Sequence, residues 1–435
     1  MPERADIVVV GTGAAGLMAA IWAGRTAQKQ ASGLRIVALD SAKRIGAKIL
    51  VAGGGRCNVT HHTVSEKDYA AGPGSSLNAV KNVLRAFPVE STTRFFAELG
   101  VELKREETGK LFPVSDDAHT VLDALLRAAR DAGVELVYPW RVESIVAEGE
   151  GFVVCGTGGE ISCARLIVAT GGKSLPKTGS DGHGLEVVKG LGHSVTRTFP
   201  ALVPLIVEKA GSFIPGLSGI AHVSEVIVAS STGKRLASFT DSLLCTHFGL
   251  SGPAALDISR YLTAARHADP GAGLLVNWLP GRTFYEVDAA LVGATAGAAG
   301  RTVLRMVLEY PAFGASMPER LARALVESAG VECAMSAAHL SREARRMLAR
   351  ALTAMPVAIT GDRGYFFAEV TAGGVPLSEV RLESMESRAQ PGLHLCGEIL
   401  DIDGRIGGFN FQWAWASGYL AGVGAARSAA APPQS

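Results

Sequence analysis

Hydrophobic and polar positions at the start of the chain fall into a strand, turn, helix and second strand. Ala5–Val10 is an apolar, β-branched run broken only by Asp6, the pattern of a strand buried on both faces. It stops at Gly11, and helical character follows through GTGAAGLMAAIWAGR. A second apolar run, Leu34–Leu39, broken only by Arg35, ends at Asp40. This order predicts a βαβ unit and a parallel sheet. Ala47–Thr60 reads as a glycine-rich loop. Helical patterns over Leu77–Phe87, Pro88–Leu99 and Thr120–Ala132 follow, with a hairpin at Val101–Pro113. From Glu135 to Val168 short strands alternate with glycine reversals, as in an antiparallel meander that returns to the main sheet.

After His193 the pattern changes. Residues 196–280 are strand-like with many turns, and 284–353 carry helix formers, as at Thr302–Leu308, Glu319–Ser328 and Ser341–Leu352. Strand patterns resume at Tyr365–Val370 and Leu393–Leu395, before a last helix over Phe411–Arg427. The pattern predicts an α/β domain interrupted by an insert. Its first part is 1–195, the insert is 196–359, the second part is 360–427, and 428–435 is a disordered tail.

Composition narrows the classes. Lys and Arg number 42 and Asp and Glu 41, a formal net charge of +1, which argues against a chain built chiefly to coat nucleic acid or an anionic membrane. The insert carries 15 Lys and Arg against 12 Asp and Glu, a mild local excess. Six cysteines without a C-x-x-C pair fit a reduced, cytoplasmic protein. No run approaches the ~18 apolar residues of a membrane span. The histidines lack metal-ligand spacing, so no metal is expected. Oligomeric state is not legible.

The 52 glycines cluster where chemistry is expected. GTGAAG after a strand and opening a helix fits dinucleotide binding. Gly11 allows the turn, Gly13 lets a pyrophosphate approach, and Gly16 allows close helix–strand packing. Asp40 at the next strand end is placed to accept ribose hydroxyls. VATGG, with Ala169, Thr170 and Gly171, repeats an apolar strand ending in glycine. GEILDIDGRIGGFN brings Gly397, Glu398, Asp401, Gly407, Gly408 and Asn410 just before the last helix. Three such strand ends favour an extended FAD over a short NAD site, and N–H groups at Gly407–Asn410 suit a reduced flavin's negative charge. Lys48, Gly55 and Asn58, in and before GGGRCN, join the expected cofactor lining.

Arg56 in that loop is expected to neutralise a flavin or substrate anion, having little among glycines to pack on. Cys57 is either a proton donor or a small packing residue. His247, in CTHFGLSGP, is either an acid/base group reaching the flavin or a satisfied core histidine. Arg342, Arg345, Arg346 and Arg350 lie near one helical face and offer a site for RNA phosphates or an anionic acyl carrier, or simply a solvated face. No aromatics interleave with them in the sequence.

GTGAAG, KILVAGGGRCNVT, ATGGKSLPKTGSDGHG, THFGLSGPAALDISR, AEVTAGGV and GEILDIDGRIGGFNFQWAWASG together resemble the BaiN/RdsA-type, aminoacetone-oxidase-like flavoproteins over residues 5–425. The resemblance implies a glutathione-reductase-like FAD domain made from both chain ends, with a β-barrel-like and helical insert. It also implies an FAD-dependent oxidoreductase exchanging a hydride between flavin N5 and an organic substrate, with NAD(P)H as transient donor. Gly11, Gly13, Ala14, Ala15, Gly16 and Asp40 match positions that hold the ADP half, and Val142 the position whose backbone meets adenine. Gly397, Glu398, Asp401, Gly408 and Asn410 match the ribityl and ring region. Substrates in view are a small molecule or acyl-thioester, or uridine in ribosomal RNA reduced to dihydrouridine. A flavin-bound sensor without turnover is the reading from outside enzymology.

Overall fold

The computed structural model describes residues 4–296, 300–309 and 317–430. The chain divides into two compact units, Met1–Pro200 with Glu369–Ser435, and Ala201–Ala368.

In the first unit, five strands run parallel in the order Leu393–Leu395, Gly159–Val168, Arg4–Val10, Ile36–Leu39 and Val134–Val137. Their apolar side chains are almost wholly buried, as strands covered on both faces require. The register aligns the strand ends: Val10 pairs with Leu39 and with Val168, and Val168 pairs with Leu395. The residues after those ends therefore share one edge of the sheet, where open α/β sheets bind ligands. The meander Val142–Glu148, Gly151–Gly156 pairs antiparallel onto the first half of Gly159–Val168.

The helix Ala14–Lys29 packs against the C-terminal helix Phe409–Ala430 at very short range. A Cβ on Gly418 would lie 2.6 Å from the Ala15 carbonyl oxygen, and one on Gly422 would lie 2.1 Å from that of Ala19. Small residues at both positions let the two backbones touch. The last helix outruns its expected end at Arg427. Arg165 donates from Nε to Ser428 Oγ and from Nη2 to the Ser428 carbonyl, both at 2.9 Å, so residues 428–430 are helical rather than a frayed tail. Residues 431–435 lie outside the described residues.

The second unit is built on a seven-stranded antiparallel sheet in the order Met355–Val357, Gly273–Asn277, Ala221–Ala229, Arg235–Thr246, Gly249–Ser251, Leu205–Val207 and Ile359–Asp362. Its two outermost strands are consecutive in the chain, joined by Ala358 alone. The sheet must therefore curl back toward itself, which gives the barrel-like character expected of the insert. Helices Phe284–Ala296, Glu319–Ser328 and Arg342–Thr353 follow the expected helical stretch.

Three local expectations are corrected. The strand-like stretch 196–280 contains a 17-residue helix, Gly252–Ala268, which buries Ala254, Ala255, Ile258 and Leu262 on one face. Gly-Pro at its start reads as a turn, although Pro in a first turn is also a helix-start signal. Tyr365–Val370 is not a strand. Gly364 takes φ +70° and Phe367 and Ala368 donate back to its carbonyl, so only Val370–Ala372 is extended. The loop Ala47–Thr60 includes a short helix, Ala47–Val51.

Candidate cofactor site

The first glycine turn is shaped by crowding. Gly11 sits at φ +90°, and a Cβ there would come within 2.6 Å of the Ala169 carbonyl oxygen. A Cβ on Gly16 would lie 1.8 Å from the Gly11 oxygen, whereas one on Gly13 would meet nothing within 4 Å. The space beside Gly13 is open. Helix Ala14–Lys29 starts there with no side-chain cap and no acid in its first turn. The N–H groups of Ala14 and Ala15, with the positive end of the helix dipole, are left for an anion.

Asp40 stands at the adjoining strand end, half-buried. Its Oδ2 accepts from the Thr12 N–H and Thr12 hydroxyl, both at 2.8 Å, and Oδ1 accepts from the Ala42 N–H at 2.8 Å. The carboxylate thus braces the glycine turn from behind. Thr12 is wholly buried, and sequence reasoning passed over it as a variable motif position. Val142 is buried at the head of its strand, paired with Gly156.

At the third strand end, Ala169 donates to the Val10 carbonyl at 2.8 Å. Thr170 Oγ1 and Ser180 Oγ are buried there without hydrogen-bond partners. Gly171, at φ +73°, has no room for a Cβ because Ser180 Oγ would lie 2.7 Å away. Lys48 donates to Glu398 at 2.8 Å and to Ser174 Oγ at 2.9 Å. The other Glu398 oxygen accepts from Ser174 Oγ at 2.8 Å and the Thr371 N–H at 3.0 Å. Lys48 and Glu398 therefore meet, although 350 residues apart, and they cross-link the early and late segments. Ser174 and Thr371 complete that network and were not singled out in the sequence.

GGGRCN turns by left-handed residues on both sides of Arg56, which is itself right-handed at φ −99°. Gly53, Gly54 and Gly55 have φ of +58°, +71° and +86°, and Cys57 has φ +60°. The premise for Arg56 is overturned. Its guanidinium lies 4.0 Å from the centroid of Phe112 and bonds Glu106 at 2.6 Å, with Asp116 at 3.6 Å. It has both a surface and counter-charges of its own. Cys57 is fully buried, and burial pushes its thiol up to about 12. A thiol so hard to ionise is poorly suited to proton transfer near neutrality. Asn58 is buried, with Oδ1 lacking a partner.

In the late segment, Gly397 takes φ +78° and its missing Cβ would sit 2.7 Å from Ala15 Cβ, directly against the start of the first helix. Asp401 is buried and accepts from Thr196 Oγ1 at 2.7 Å. Gly407 and Gly408 have φ of +129° and +95°, and Gly408 lies so close to Thr60 that a Cβ would approach its backbone to 2.6 Å. Asn410 turns inward. Its amide accepts from the Gly404 N–H at 2.8 Å and donates to the Gly404 carbonyl at 2.9 Å, fixing the turn that leads to the last helix.

The residues present fit FAD. An uncapped helix N-terminus opens beside Gly13, an acid, Asp40, stands at the adjoining strand end, and Thr170, Ser180 and Asn58 each bury an unpartnered polar atom.

The remaining candidates lie in the second unit. His247 is exposed on the turn Thr246–Gly249, its ring edge-on to Phe248, so it is not a core histidine. Arg342, Arg346 and Arg350 are exposed at successive turns of helix Arg342–Thr353, whereas Arg345 folds onto Asp288 at 2.8 Å. Aromatics do accompany them: Arg346 lies 5.7 Å from the Phe284 ring, and Tyr285 beside it is 81% exposed. Among the described residues no helix is long and apolar enough to cross a membrane.

Residues 5–424 match the family model described as HI0933-like protein Rossmann domain. The 3-dehydro-bile acid delta(4,6)-reductase of Clostridium scindens is 32% identical over 428 residues, covering 97% of this chain and 98% of its own. The ribosomal RNA dihydrouridine synthase of Escherichia coli is also 32% identical, over 96% of this chain and 97% of its own. That of Haemophilus influenzae is 30% identical, over 98% of this chain and all of its own. The chain belongs to the HI0933-like Rossmann family of BaiN/RdsA type and is an FAD-dependent oxidoreductase.

Proposed function

We propose that this enzyme saturates a carbon–carbon double bond conjugated to a carbonyl. One observation carries the reading. Two relatives, each about a third identical over nearly the whole chain, bear names that describe this one bond change on unlike molecules. A delta(4,6)-reduction beside a 3-oxo group and the conversion of uridine to dihydrouridine both add two hydrogens across such a bond.

Bound FAD would supply the hydride at N5, with NAD(P)H as its donor. The chain's own residues would hold and tune it. N–H groups from Gly13 to Gly16 would bind the diphosphate, and Asp40, which braces the turn, would accept from the adenosine ribose. The Val142 backbone would meet adenine, and the unpartnered Thr170 and Ser180 hydroxyls would be available to the cofactor. Asn58 Oδ1 would accept from the ring. Gly397 and Asp401 would line the ribityl chain, with Glu398 and Lys48 cross-linking the segments that hold it. The N–H groups at Gly407–Asn410, at the start of the last helix, would stabilise negative charge on the ring. Cys57 fills space, and Arg56 holds the loop to Glu106 and Phe112.

RNA is the second reading for the substrate, and one feature favours it. Arg342, Arg346 and Arg350 on one helix face, next to an exposed Tyr285, combine phosphate-binding charge with a stacking surface. A cytoplasmic site of action suits either substrate.

The test is anaerobic reduction with NADH or NADPH, followed by mixing with a 3-oxo-4-ene steroid acid, an enone acyl-thioester, unmodified ribosomal RNA or oxygen. The expected result is fast return of the flavin colour with one conjugated acceptor, whose product gains two hydrogens. Reoxidation by oxygen alone sinks the proposal.

A further inference from the structure

Within the first unit, the strand Lys110–Pro113 pairs antiparallel with Thr60–His61, which sets Lys110 opposite His61. This pair lies against the glycines that precede the last helix. A Cβ on Gly408 would approach the Thr60 backbone to 2.6 Å, and one on Gly407 would lie 3.7 Å from Lys110 Cε. The end of the lysine stem therefore passes beside Gly407, at the head of helix Phe409–Ala430. The surroundings are firmly tied. Thr60 Oγ1 donates to Gln412 Oε1 at 2.7 Å, and the Tyr69 hydroxyl donates to the Phe409 carbonyl at 2.8 Å. The Phe409 ring stacks on His61 with 5.0 Å between centroids, and the Glu106 N–H donates to the Lys110 carbonyl at 2.9 Å.

Lys110 is half-buried, and among the described residues no carboxylate pairs with it. The acids nearby are engaged elsewhere or turned to solvent. Glu106 bonds Arg56 at 2.6 Å, Asp116 pairs with Lys104, and Asp68 accepts from the Ser65 N–H at 2.9 Å. Glu107, in the turn before Lys110, is exposed. His61 is already committed, with Nδ1 facing the Thr63 carbonyl at 2.7 Å and Nε2 the Thr108 carbonyl at 3.1 Å. The helix start is not. Its first N–H groups have no partner within the helix. Asn410, the side chain best placed to cap them, is turned to Gly404, and the two glycines leave the backbone bare. A full positive charge and the positive end of a helix dipole thus converge on one spot.

We infer that Lys110 is the counter-charge for the pyrimidine edge of the bound flavin ring, where N1 and its neighbouring oxygen gather negative charge. The inference rests on the proposed seat of the ring at Gly407–Asn410 and is independent of which substrate is reduced. The helix contributes fixed partial charges, whereas Lys110 contributes a whole one. A compact ammonium on a flexible stem can follow the ring edge as its charge changes, which a planar guanidinium does less readily. Lys110 therefore favours the electron-rich ring over the oxidised one.

The test is titration of the oxidised, FAD-loaded enzyme with sulfite, read as bleaching of the flavin. The sulfur lone pair forms a bond to flavin N5, and an electron pair of the ring moves onto N1. The adduct thus carries its negative charge at the edge in question, and no other reactant is needed. Lys110→Met is expected to weaken sulfite binding by about 10–100-fold, the loss of one charge-assisted hydrogen bond, with FAD content kept. Lys110→Arg is expected to recover most of the affinity, which separates lost charge from a disturbed hairpin. Lys104→Met, on the neighbouring strand, is expected to leave it unchanged. Equal sulfite affinity in wild type and Lys110→Met overturns the inference and leaves the seat of the ring intact. So does an equal loss in Lys104→Met, or a Lys110→Arg protein as weak as Lys110→Met. No adduct with wild type removes the seat itself, and the inference with it. A Lys110-dependent adduct in an enzyme that reduces no conjugated acceptor sinks the proposed reduction and leaves this assignment standing.

Discussion

The two glycine loops of the first unit, Gly11–Gly16 and Gly53–Gly55, use the same residue for different reasons. In the first, the sheet edge and the helix start press together, so that a Cβ on Gly16 would fall 1.8 Å from a carbonyl oxygen. In the second there is room at Gly54, with nothing within 4 Å of a Cβ, and at Gly55, where the nearest atom is 3.8 Å away, although a Cβ on Gly53 would come within 2.8 Å of the Phe112 ring. There the demand is for handedness, since three successive residues take positive φ. Crowding forbids a side chain outright, whereas handedness only penalises one.

That contrast is broken or sharpened by three variants. Gly16→Ala carries the largest effect. With the Gly11 backbone 1.8 Å away and Ala169 Cβ at 3.3 Å nothing can yield easily, and the cost should reach about 3 kcal/mol or more. FAD should be lost on gel filtration and the Tm should fall by several degrees; a Gly16→Ala protein that kept its colour and Tm would erase the distinction.

Gly54→Ala should cost only about 1–2 kcal/mol, the strain of a left-handed alanine. FAD content is expected to stay near that of wild type. Denaturant unfolding and flavin absorbance on the same samples check both parts, and a loss as large as that at Gly16 would show hidden crowding.

Cys57 gives the smallest and most diagnostic effect. It holds φ +60° without being glycine, so Cys57→Ala keeps the strain and loses only packing, about 1 kcal/mol. Cys57→Gly loses slightly more packing but sheds the strain. It should therefore match or exceed the alanine variant in stability, the reverse of the usual order at a buried position. The buried thiol also gives a pH signature. Its pKa stands at about 12 in the fold against an ordinary 9.0, so its contribution is full below pH 9 and drains away as pH rises from there toward 12. Stability curves over that interval should be flatter for Cys57→Ala, and superimposable curves would mean the thiol is not sealed from solvent.

The first loop was legible because its constraint is written into a motif and its strand–helix context. The second was legible only as a cluster. Nothing in GGGRCN says which backbone angles follow, or that Phe112, 56 residues on, supplies the ring on which Arg56 lies. Glu398 was found as an acid at a strand end, but its bonds to Lys48, Ser174 and Thr371 span the whole chain, and no local period encodes such distances. The same holds for Asn410, whose side-chain bonds to Gly404 no local pattern encodes. His247 shows the limit from the other side. One of its two readings was a satisfied core histidine, yet it sits on a turn that throws the ring outward, edge-on to Phe248. The helix Gly252–Ala268 was recoverable in principle, from Pro253 in its first turn and the spacing of Ala254, Ile258 and Leu262.

The close seating of Gly418 and Gly422 on Ala15 and Ala19, with Leu395 paired to Val168, bears on how the chain is made. The second unit is one uninterrupted stretch and can complete its sheet as soon as it leaves the ribosome. The first cannot. Its central strand and glycine turn are synthesised first, but the helix that covers them and the wall that holds Glu398 are synthesised last. For most of translation the start of the chain exposes an apolar sheet face with no partner, a state open to misassembly. Arrest or truncation before residue 393 should then yield a folded insert attached to an unfinished, FAD-free beginning, so the order of synthesis is the reverse of the order in which the cofactor domain can be closed.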